Sequence, residues 1–154
     1  MSDSIYYLNF SWVIDDEIAG SRGPRSVTDL KLIRDQGVRA LVRITDWPRV
    51  TPDEIATLGM ADCHESVPDM EAPSLSQIEH IFDFIQECLD EGKPVGVSCD
   101  GGFGRTGTLL ACYLVKKGLG AEDAIKQLKA KRPGSVLTLE QEEAVTDCAH
   151  RFGR

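Results

Sequence analysis

The sequence predicts a single α/β domain with a largely parallel sheet flanked by helices. A chain of 154 residues has the length of one domain and buries a sizeable core. Short apolar runs of strand length alternate along it with longer stretches of helical period. This alternation is typical of βα units, in which helices cover both faces of the sheet. We therefore predict one domain over residues 1–154, and we find no repeat or linker in the sequence.

The first half of the chain supplies strands with two helices between them. Ser26 is a suitable N-cap for the first helix. Thr51 followed by Pro52 is typical of a helix start, because proline fits the first helical position. The predicted elements are two short strands within 10–21 around Asp15 and Asp16, a helix from 27 to 37, a strand at 38–44, a helix at 52–58 and a strand at 61–67.

The second half is mostly helical. Ser74 caps a long helix whose apolar stripe is Ile78, Ile81, Phe82, Ile85 and Leu89, and Gly92 follows its end. Thr138 and Gln141 form a capping box, in which each side chain satisfies a backbone amide of the other residue. The further predicted elements are a strand at 95–98 and helices at about 106–117, 121–131 and 138–148.

Three loops are expected at one edge of the sheet. Residues 45–49, 68–73 and 99–105 each follow a predicted strand. Because ligands bind beyond the carboxyl ends of the strands in such sheets, we expect the functional site there.

The charge of the chain limits its partners. The formal net charge is −8. An acidic surface argues against nucleic acid and against anionic membranes. It also makes a polyanionic substrate less expected, unless a local basic pocket overrides the overall charge.

The cysteines and histidines indicate neither a disulfide framework nor a metal site. Five cysteines are scattered through mostly apolar patterns, at positions 63, 88, 99, 112 and 148. An odd number without a CxxC pair indicates reduced thiols in a cytoplasmic compartment. The three histidines stand apart in the sequence, so we predict no metal. We also expect neither a signal peptide nor a membrane span.

One stretch carries the chemistry. Residues 95–98 form an apolar run, residues 99–105 contain three glycines, and an apolar helix follows. Strand, glycine-rich loop and helix N-terminus form an anion-binding arrangement, since successive amides point inward and the helix dipole adds positive potential. Cys99 opens the loop and Arg105 closes it. Helix N-termini and arginines favour the thiolate, and the arginine fork matches two phosphate oxygens.

Other interpretations of this stretch are weaker. The first is coincidence, because a C-x5-R pair such as Cys99 and Arg105 is a weak pattern on its own and can arise by chance. Gly102, Gly104 and Gly107 also satisfy the dinucleotide-binding pattern G-x-G-x-x-G. The acids at 122–123 stand at the expected distance for a ribose contact, but they begin a predicted helix instead of ending a strand. The stretch does not match a Walker loop either, because Thr108 stands where the lysine of that motif should be.

At these residues the chain resembles a known family. Cys99-Asp-Gly-Gly-Phe-Gly-Arg-Thr106 is similar to the C-x-x-G-x-x-R-[ST] signature of cysteine-dependent protein tyrosine phosphatases. The similarity extends to residues 104–115, 132–135, 67–69 and 9–13, and it is greatest to the small atypical dual-specificity phosphatases of VHZ-like type. It covers nearly the whole chain and implies a protein tyrosine phosphatase-like fold. One position departs, because Ser98 precedes the cysteine where the family usually has histidine.

The residues and the resemblance together give the expected roles in the loop. Cys99 is the candidate nucleophile, through a phosphocysteine intermediate. Arg105 and the loop amides hold the phosphoryl oxygens. The predicted phosphate-binding residues are Asp100, Gly101, Gly102, Phe103, Gly104 and Arg105. Thr106 is expected to hydrogen-bond the leaving sulfur, to cap the following helix, or both.

A general acid is expected outside the loop. Asp69 is our choice, since it lies in a proline-flanked loop and Val67-Pro-Asp69 resembles the acid loop of the family. Glu71 and Glu65 are the alternatives. Gln141 is expected either to orient the attacking water, as the resemblance implies, or only to form the capping box. Asp46, Trp47 and Arg49 are candidates for a lip around the substrate.

The sequence therefore predicts a cytoplasmic phosphatase that needs no cofactor. The expected substrate is a phosphorylated protein, with phosphotyrosine first and phosphoserine or phosphothreonine next, or a small phosphate ester. The alternatives are a phosphatase for an inositol phosphate, nucleotide or lipid, and a phosphate-binding pseudoenzyme, which only Ser98 suggests. We expect a monomer without nucleic-acid or membrane partners.

Overall fold

A five-stranded sheet forms the centre of the molecule. The computed structural model describes residues 2–135 and 137–153. Its strands are β1 (Ser11–Ile14), β2 (Ile18–Arg22), β3 (Ala40–Arg43), β4 (Ala61–His64) and β5 (Val95–Cys99). Its helices are α1 (Ser2–Tyr7), α2 (Val27–Asp35), α3 (Pro52–Thr57), α4 (Leu75–Asp90), α5 (Gly104–Lys116), α6 (Ala121–Lys131) and α7 (Leu139–Phe152).

The sheet order is β1-β2-β5-β3-β4. All neighbours are parallel except β1 and β2, which pair antiparallel at one edge. The prediction of a mostly parallel sheet flanked by helices is therefore confirmed. The strand β5 is central, and its last residue, Cys99, pairs with Arg22 at the end of β2. This register brings the carboxyl ends of the parallel strands to one edge.

Helices cover the sheet on both faces. On one face, Leu30, Ile33, Leu41 and Ile55 belong to a small core cluster that α2 and α3 share with the sheet. On the other face, α5 packs between α6 and α7, and every residue from Arg105 to Val115 is buried. A helix buried all round is held by packing along its whole length. This packing therefore fixes the position of the end of the glycine-rich loop that joins α5.

Most predicted elements are present, one helix is additional, and several elements differ in extent, among them β4, α5 and α7. The helix α1 was not predicted, because six residues are too few to show a helical period. The strand β4 stops at His64, short of 67, because its partner β3 ends at Arg43, the residue that pairs with His64. The helix α5 begins at Gly104, two residues earlier than expected. The helix α7 continues to Phe152, which packs edge-on against Phe82.

The described helices include none that is both long and apolar enough for a membrane span.

Candidate functional site

The loop between β5 and α5 has the geometry of an anion-binding loop. Cys99 ends the strand, and the helix begins at Gly104 after Phe103 at the N-cap position. Among the described residues, Phe103 makes no side-chain capping hydrogen bond at this helix start. Its first amides are therefore available to a ligand, and the helix dipole places positive potential there. Sequence analysis predicted this arrangement.

Close backbone packing explains one glycine of the loop in particular. Gly102 has φ +82°, and a Cβ there would lie 2.6 Å from the carbonyl oxygen of Ser21. A side chain at this position is therefore excluded twice, by conformation and by contact. At Gly101, by contrast, an added Cβ would meet only Phe103, at 3.7 Å. Tight closure of the loop therefore requires glycine at position 102, whereas Gly101 has room for a methyl group.

A buried arginine holds the loop from below. The Nη2 atom of Arg132 donates to the carbonyl of Gly102 at 2.5 Å. Its Nη1 atom donates to the carbonyls of Gly20 and Asn9 and to the hydroxyl of Ser11, each at 2.8 Å. All of these acceptors are uncharged, so Arg132 ties the loop to β1 and β2 as a buried cation without a carboxylate partner among them.

Burial lowers the pKa of Arg132 to about 10, and the nearby Cys99 sulfur opposes that shift. The guanidinium therefore stays charged at neutral pH. In the sequence, Arg132 belongs to a stretch that resembles the family, but no role in the site was predicted for it. An arginine before Pro-Gly carries no sequence signal that it will be buried, so only the structure identifies its position.

The side chain of Arg105 lies in the site, and one nitrogen anchors it. It is 3% exposed, and its Nη1 atom donates to the Val67 carbonyl at 2.8 Å and to Asp46 Oδ1 at 3.1 Å. Its buried Nε atom has no hydrogen-bond partner among the described residues. Buried polar atoms are rarely left unpaired. The anchoring through Nη1 therefore leaves the rest of the fork for an anion.

The structure places Asp69 beside this arginine. Its Oδ1 atom lies 3.8 Å from Arg105 Nη2 and accepts a hydrogen bond from the amide of Met70 at 3.0 Å. The Asp69 side chain is 79% exposed and lines the same cleft as Cys99. Of the two alternatives, Glu65 contacts His80 at 2.8 Å instead, and Glu71 is exposed and does not line the cleft. The geometry therefore favours Asp69 as the acid.

Contacts from α7 hold the loop that carries Asp69. Gln141 Nε2 donates to the Glu71 carbonyl at 3.0 Å, and Thr138 Oγ1 donates to the Met70 carbonyl at 3.2 Å. Thr138 and Gln141 also form the predicted capping box. Gln141 is 1% exposed and lines the cleft. It therefore combines the capping role with a position at the site.

The Thr106 side chain is in a position that the sequence did not predict. The N-cap of α5 is Phe103, so the expectation that Thr106 caps the helix is wrong. Thr106 is fully buried, and its Oγ1 atom has no hydrogen-bond partner among the described residues. The hydroxyl is therefore free to serve a group inside the loop.

The loops enclose a cleft of about 540 Å³. Its walls are residues 99–101 and 103–105, Asp69, Met70, Leu137, Thr138 and Gln141. The three predicted lip residues are not among these walls. Asp46 contacts Arg105 directly, while Trp47 and Arg49 line an adjoining pocket of about 10 Å³, which shares Cys99 and Asp100 with the cleft. The structure thus does not bring Trp47 and Arg49 to the wall of the cleft.

Three cysteines other than Cys99 have surroundings that raise the pKa of the thiol, whereas a reactive thiol needs a lowered pKa. Burial raises the pKa of Cys63 to about 12, and the carboxylates of Glu65 and Asp62 add to the effect. A hydrogen bond with Cys148 raises the pKa of Cys112, and burial raises it further. Burial also raises the pKa of Cys88. Unless a cation binds beside them, the surroundings of these three thiols favour the protonated form, which does not suit a nucleophile.

The known proteins that are similar to this chain agree with this site geometry. A family model described as "Polymorphic toxin system, DSP-PTPase phosphatase" matches residues 19–119. The chain belongs to the DSP-PTPase phosphatases. This confirms the resemblance to small dual-specificity phosphatases, while the finer VHZ-like relation stays a prediction.

Curated relatives and a solved structure agree with the family. Mouse "Dual specificity protein phosphatase CDC14B" is 28% identical over 149 residues, covering 87% of this chain and 30% of that protein. Mouse "Protein tyrosine phosphatase domain-containing protein 1" is 32% identical over 153 residues, covering 83% and 20%. The chain thus spans less than a third of the length of these two relatives. The structure of Tk-PTP in its active form aligns with TM-score 0.83 and 33% identity, covering 93% of this chain and 97% of that one.

The two loop glycines give a matched test of the loop geometry. Gly102→Ala forces a Cβ into the Ser21 carbonyl, at 2.6 Å, in a left-handed conformation. We expect it to weaken binding of vanadate, a phosphate analogue, by at least about 10-fold, because 1.4 kcal/mol of strain already has that effect. Gly101→Ala serves as the control and should bind within a few fold of the native protein. Equal binding by both variants would contradict the assigned packing. Binding is measured by calorimetry, after circular dichroism shows that the variants fold.

Proposed function

We propose that this chain hydrolyses phosphate monoesters, foremost phosphotyrosine in proteins, through a phosphocysteine intermediate. The observation that carries the proposal is the buried Arg105 fork at one end of the loop that Cys99 opens. A nucleophile, a set of amides at a helix N-terminus and an anchored fork then surround one phosphoryl position.

The first chemical step transfers the phosphoryl group to sulfur. The Cys99 thiolate attacks phosphorus, the bond from phosphorus to the leaving oxygen breaks, and Asp69 gives that oxygen its proton. The loop amides and the free part of the Arg105 fork hold the three equatorial oxygens. Because Arg105 is already anchored by Val67 and Asp46, little ordering of its side chain is needed.

The second step releases phosphate. A water molecule attacks phosphorus, the bond from sulfur to phosphorus breaks, and Asp69 takes the proton of the water. Thr106 Oγ1 donates to the departing sulfur, a role that its unpaired, buried hydroxyl suits. Gln141 positions the water from the cleft wall. Each step uses only groups that the chain supplies, so we propose catalysis without a cofactor.

The lining of the cleft supports an aromatic substrate. Met70, Phe103 and Leu137 lie on its wall beside Cys99. Thioether, aromatic and branched aliphatic side chains pack favourably against an aromatic ring. Phosphotyrosine brings such a ring, whereas phosphoserine and phosphothreonine do not. We therefore place phosphotyrosine first and the aliphatic phosphoamino acids second.

We further propose that the protein acts as a monomer in the cytoplasm, without nucleic-acid or membrane partners. All five cysteines are buried as free thiols, which suits a reducing compartment. The net charge of −8 disfavours both kinds of polyanionic partner.

The nucleophile is tested with p-nitrophenyl phosphate. Cys99→Ser should abolish release of p-nitrophenol, yet still bind inorganic phosphate, because the amides and Arg105 remain. Cys148→Ser is the matched control, since that thiol is fully buried in the α7 packing, and it should retain near-native turnover. Substantial turnover by the Cys99 variant would overturn the mechanism, and inactivity of the native protein toward every phosphate ester would favour the pseudoenzyme.

The general acid is tested by its dependence on the leaving group. Asp69→Asn should slow substrates with poor leaving groups by about 10²–10⁴-fold, and activated aryl phosphates less, because these need less protonation. The basic limb of the pH–rate profile falls as the acid loses its proton, so it should flatten in the variant. Glu71→Gln is the control from the same loop. An unchanged basic limb in Asp69→Asn would assign the acid to another group.

A second candidate function follows from one relative. The Arabidopsis protein named "Phosphatidylglycerophosphate phosphatase PTPMT1" is 35% identical over 80 residues, covering 51% of this chain. A lipid phosphate is therefore the main alternative to a protein substrate. We expect a higher kcat/KM for a phosphotyrosine peptide than for phosphatidylglycerophosphate in neutral vesicles, because the acidic chain is not attracted to anionic lipid. The reverse order, measured as phosphate release, would make the lipid the substrate.

A further inference from the structure

A second group of reactive side chains lies outside the cleft. The sulfur of Cys63, a carboxylate oxygen of Glu65 and a ring nitrogen of His80 all lie within 4.8 Å of one another. Cys63 and Glu65 are two residues apart at the end of β4, so their side chains point to the same side of the strand. His80 reaches them from α4. The sequence predicted no metal site, because these residues come from separate elements and form no spacing motif.

Neighbouring groups are already committed to other partners. His64, between the two strand residues, contacts the Thr45 carbonyl through Nε2 at 2.7 Å. Asp62 forms a double contact with Arg43, at 2.7 and 2.8 Å. Glu65, in contrast, has no lysine or arginine partner in the part of the chain that the structure describes, and His80 Nδ1 at 2.8 Å is its one ionic contact there. The three grouped side chains thus remain available to a cation.

We propose that Cys63, Glu65 and His80 bind a zinc ion, with solvent as the fourth ligand. Thiolate, imidazole and carboxylate are the ligands that zinc takes in proteins, at about 2.0–2.3 Å. Tetrahedral bonds of that length place ligand atoms about 3.3–3.8 Å apart. The three ligand atoms, within 4.8 Å of one another, thus already lie close to the spacing that a zinc site needs.

Binding of the ion displaces one proton, from Cys63, and moves none between the other two ligands. The Cys63 thiol releases its proton to solvent, and sulfur bonds to zinc. The contact between Glu65 Oε2 and His80 Nδ1 opens, and each atom takes a coordination position. His80 then carries its proton on Nε2. The His80 side chain is 64% exposed, which gives the ion an entry path from solvent.

The site adjoins the loop that carries Asp69. The Glu65 amide donates to the Arg43 carbonyl at 3.0 Å, and two residues later the Val67 carbonyl accepts from Arg105. A zinc ion would therefore join the start of this loop to α4. This positioning role is separate from the chemistry proposed for Cys99, and zinc binding here does not depend on that chemistry.

The test uses Co²⁺ as a coloured substitute for zinc. Titrations are made in the Cys99→Ser protein, so that the thiol of the cleft cannot compete. We expect one equivalent of Co²⁺ to give the ultraviolet band of thiolate bonded to cobalt, and Zn²⁺ to displace it. His80→Asn, at an exposed position, and Cys63→Ser should each weaken metal binding by at least about 10-fold. Circular dichroism establishes that each variant folds.

Matched controls decide the ligand assignment. His150→Asn changes a histidine on α7, and Cys88→Ser changes a second buried thiol near Cys63. Both should bind Co²⁺ as tightly as the parent. Absence of the thiolate band, unchanged binding in His80→Asn, or loss of binding in Cys88→Ser would each overturn the proposal. If Cys63→Ser does not fold, the His80→Asn result alone decides.

Discussion

The shape of the loop depends on the hydrogen bond between the buried guanidinium of Arg132 and the Gly102 carbonyl. That carbonyl belongs to the residue whose left-handed conformation turns the loop, and the same guanidinium binds the backbone at Gly20 and Asn9. A buried arginine is costly unless its donors are satisfied. Here three backbone carbonyls and the Ser11 hydroxyl satisfy Nη1 and Nη2, while Nε has no partner among the described residues. The loop, β1 and β2 therefore share one fixed centre.

The positive potential of the site is local. The chain carries a net charge of −8, yet Arg105, Arg132 and the N-terminus of α5 converge around residues 99–105. Both arginines are buried, where solvent screens their charge less than at the surface. An acidic protein can therefore hold a phosphate dianion in one place while its outer surface repels other polyanions.

The site also joins distant parts of the chain. Val67 and Asp46 anchor Arg105, while Gln141 and Thr138 on α7 hold the loop that carries Asp69. The carboxyl ends of β3 and β4 thus meet the start of α7 across the cleft. Ordering these loops before a substrate arrives lowers the entropy lost when it binds.

The sequence alone predicts the α/β fold, the order of its strands and helices apart from α1, and the loop with Cys99 and Arg105. These features are local: apolar periodicity, capping residues and glycine-rich turns act over a few neighbouring residues. Three features become visible only in the folded molecule: Arg132 lies under the loop, Asp46 anchors Arg105, and Thr106 does not cap α5. The tertiary structure also brings Cys63, Glu65 and His80 together. Such contacts depend on strand register and helix packing between residues far apart in the chain, and no local pattern encodes them.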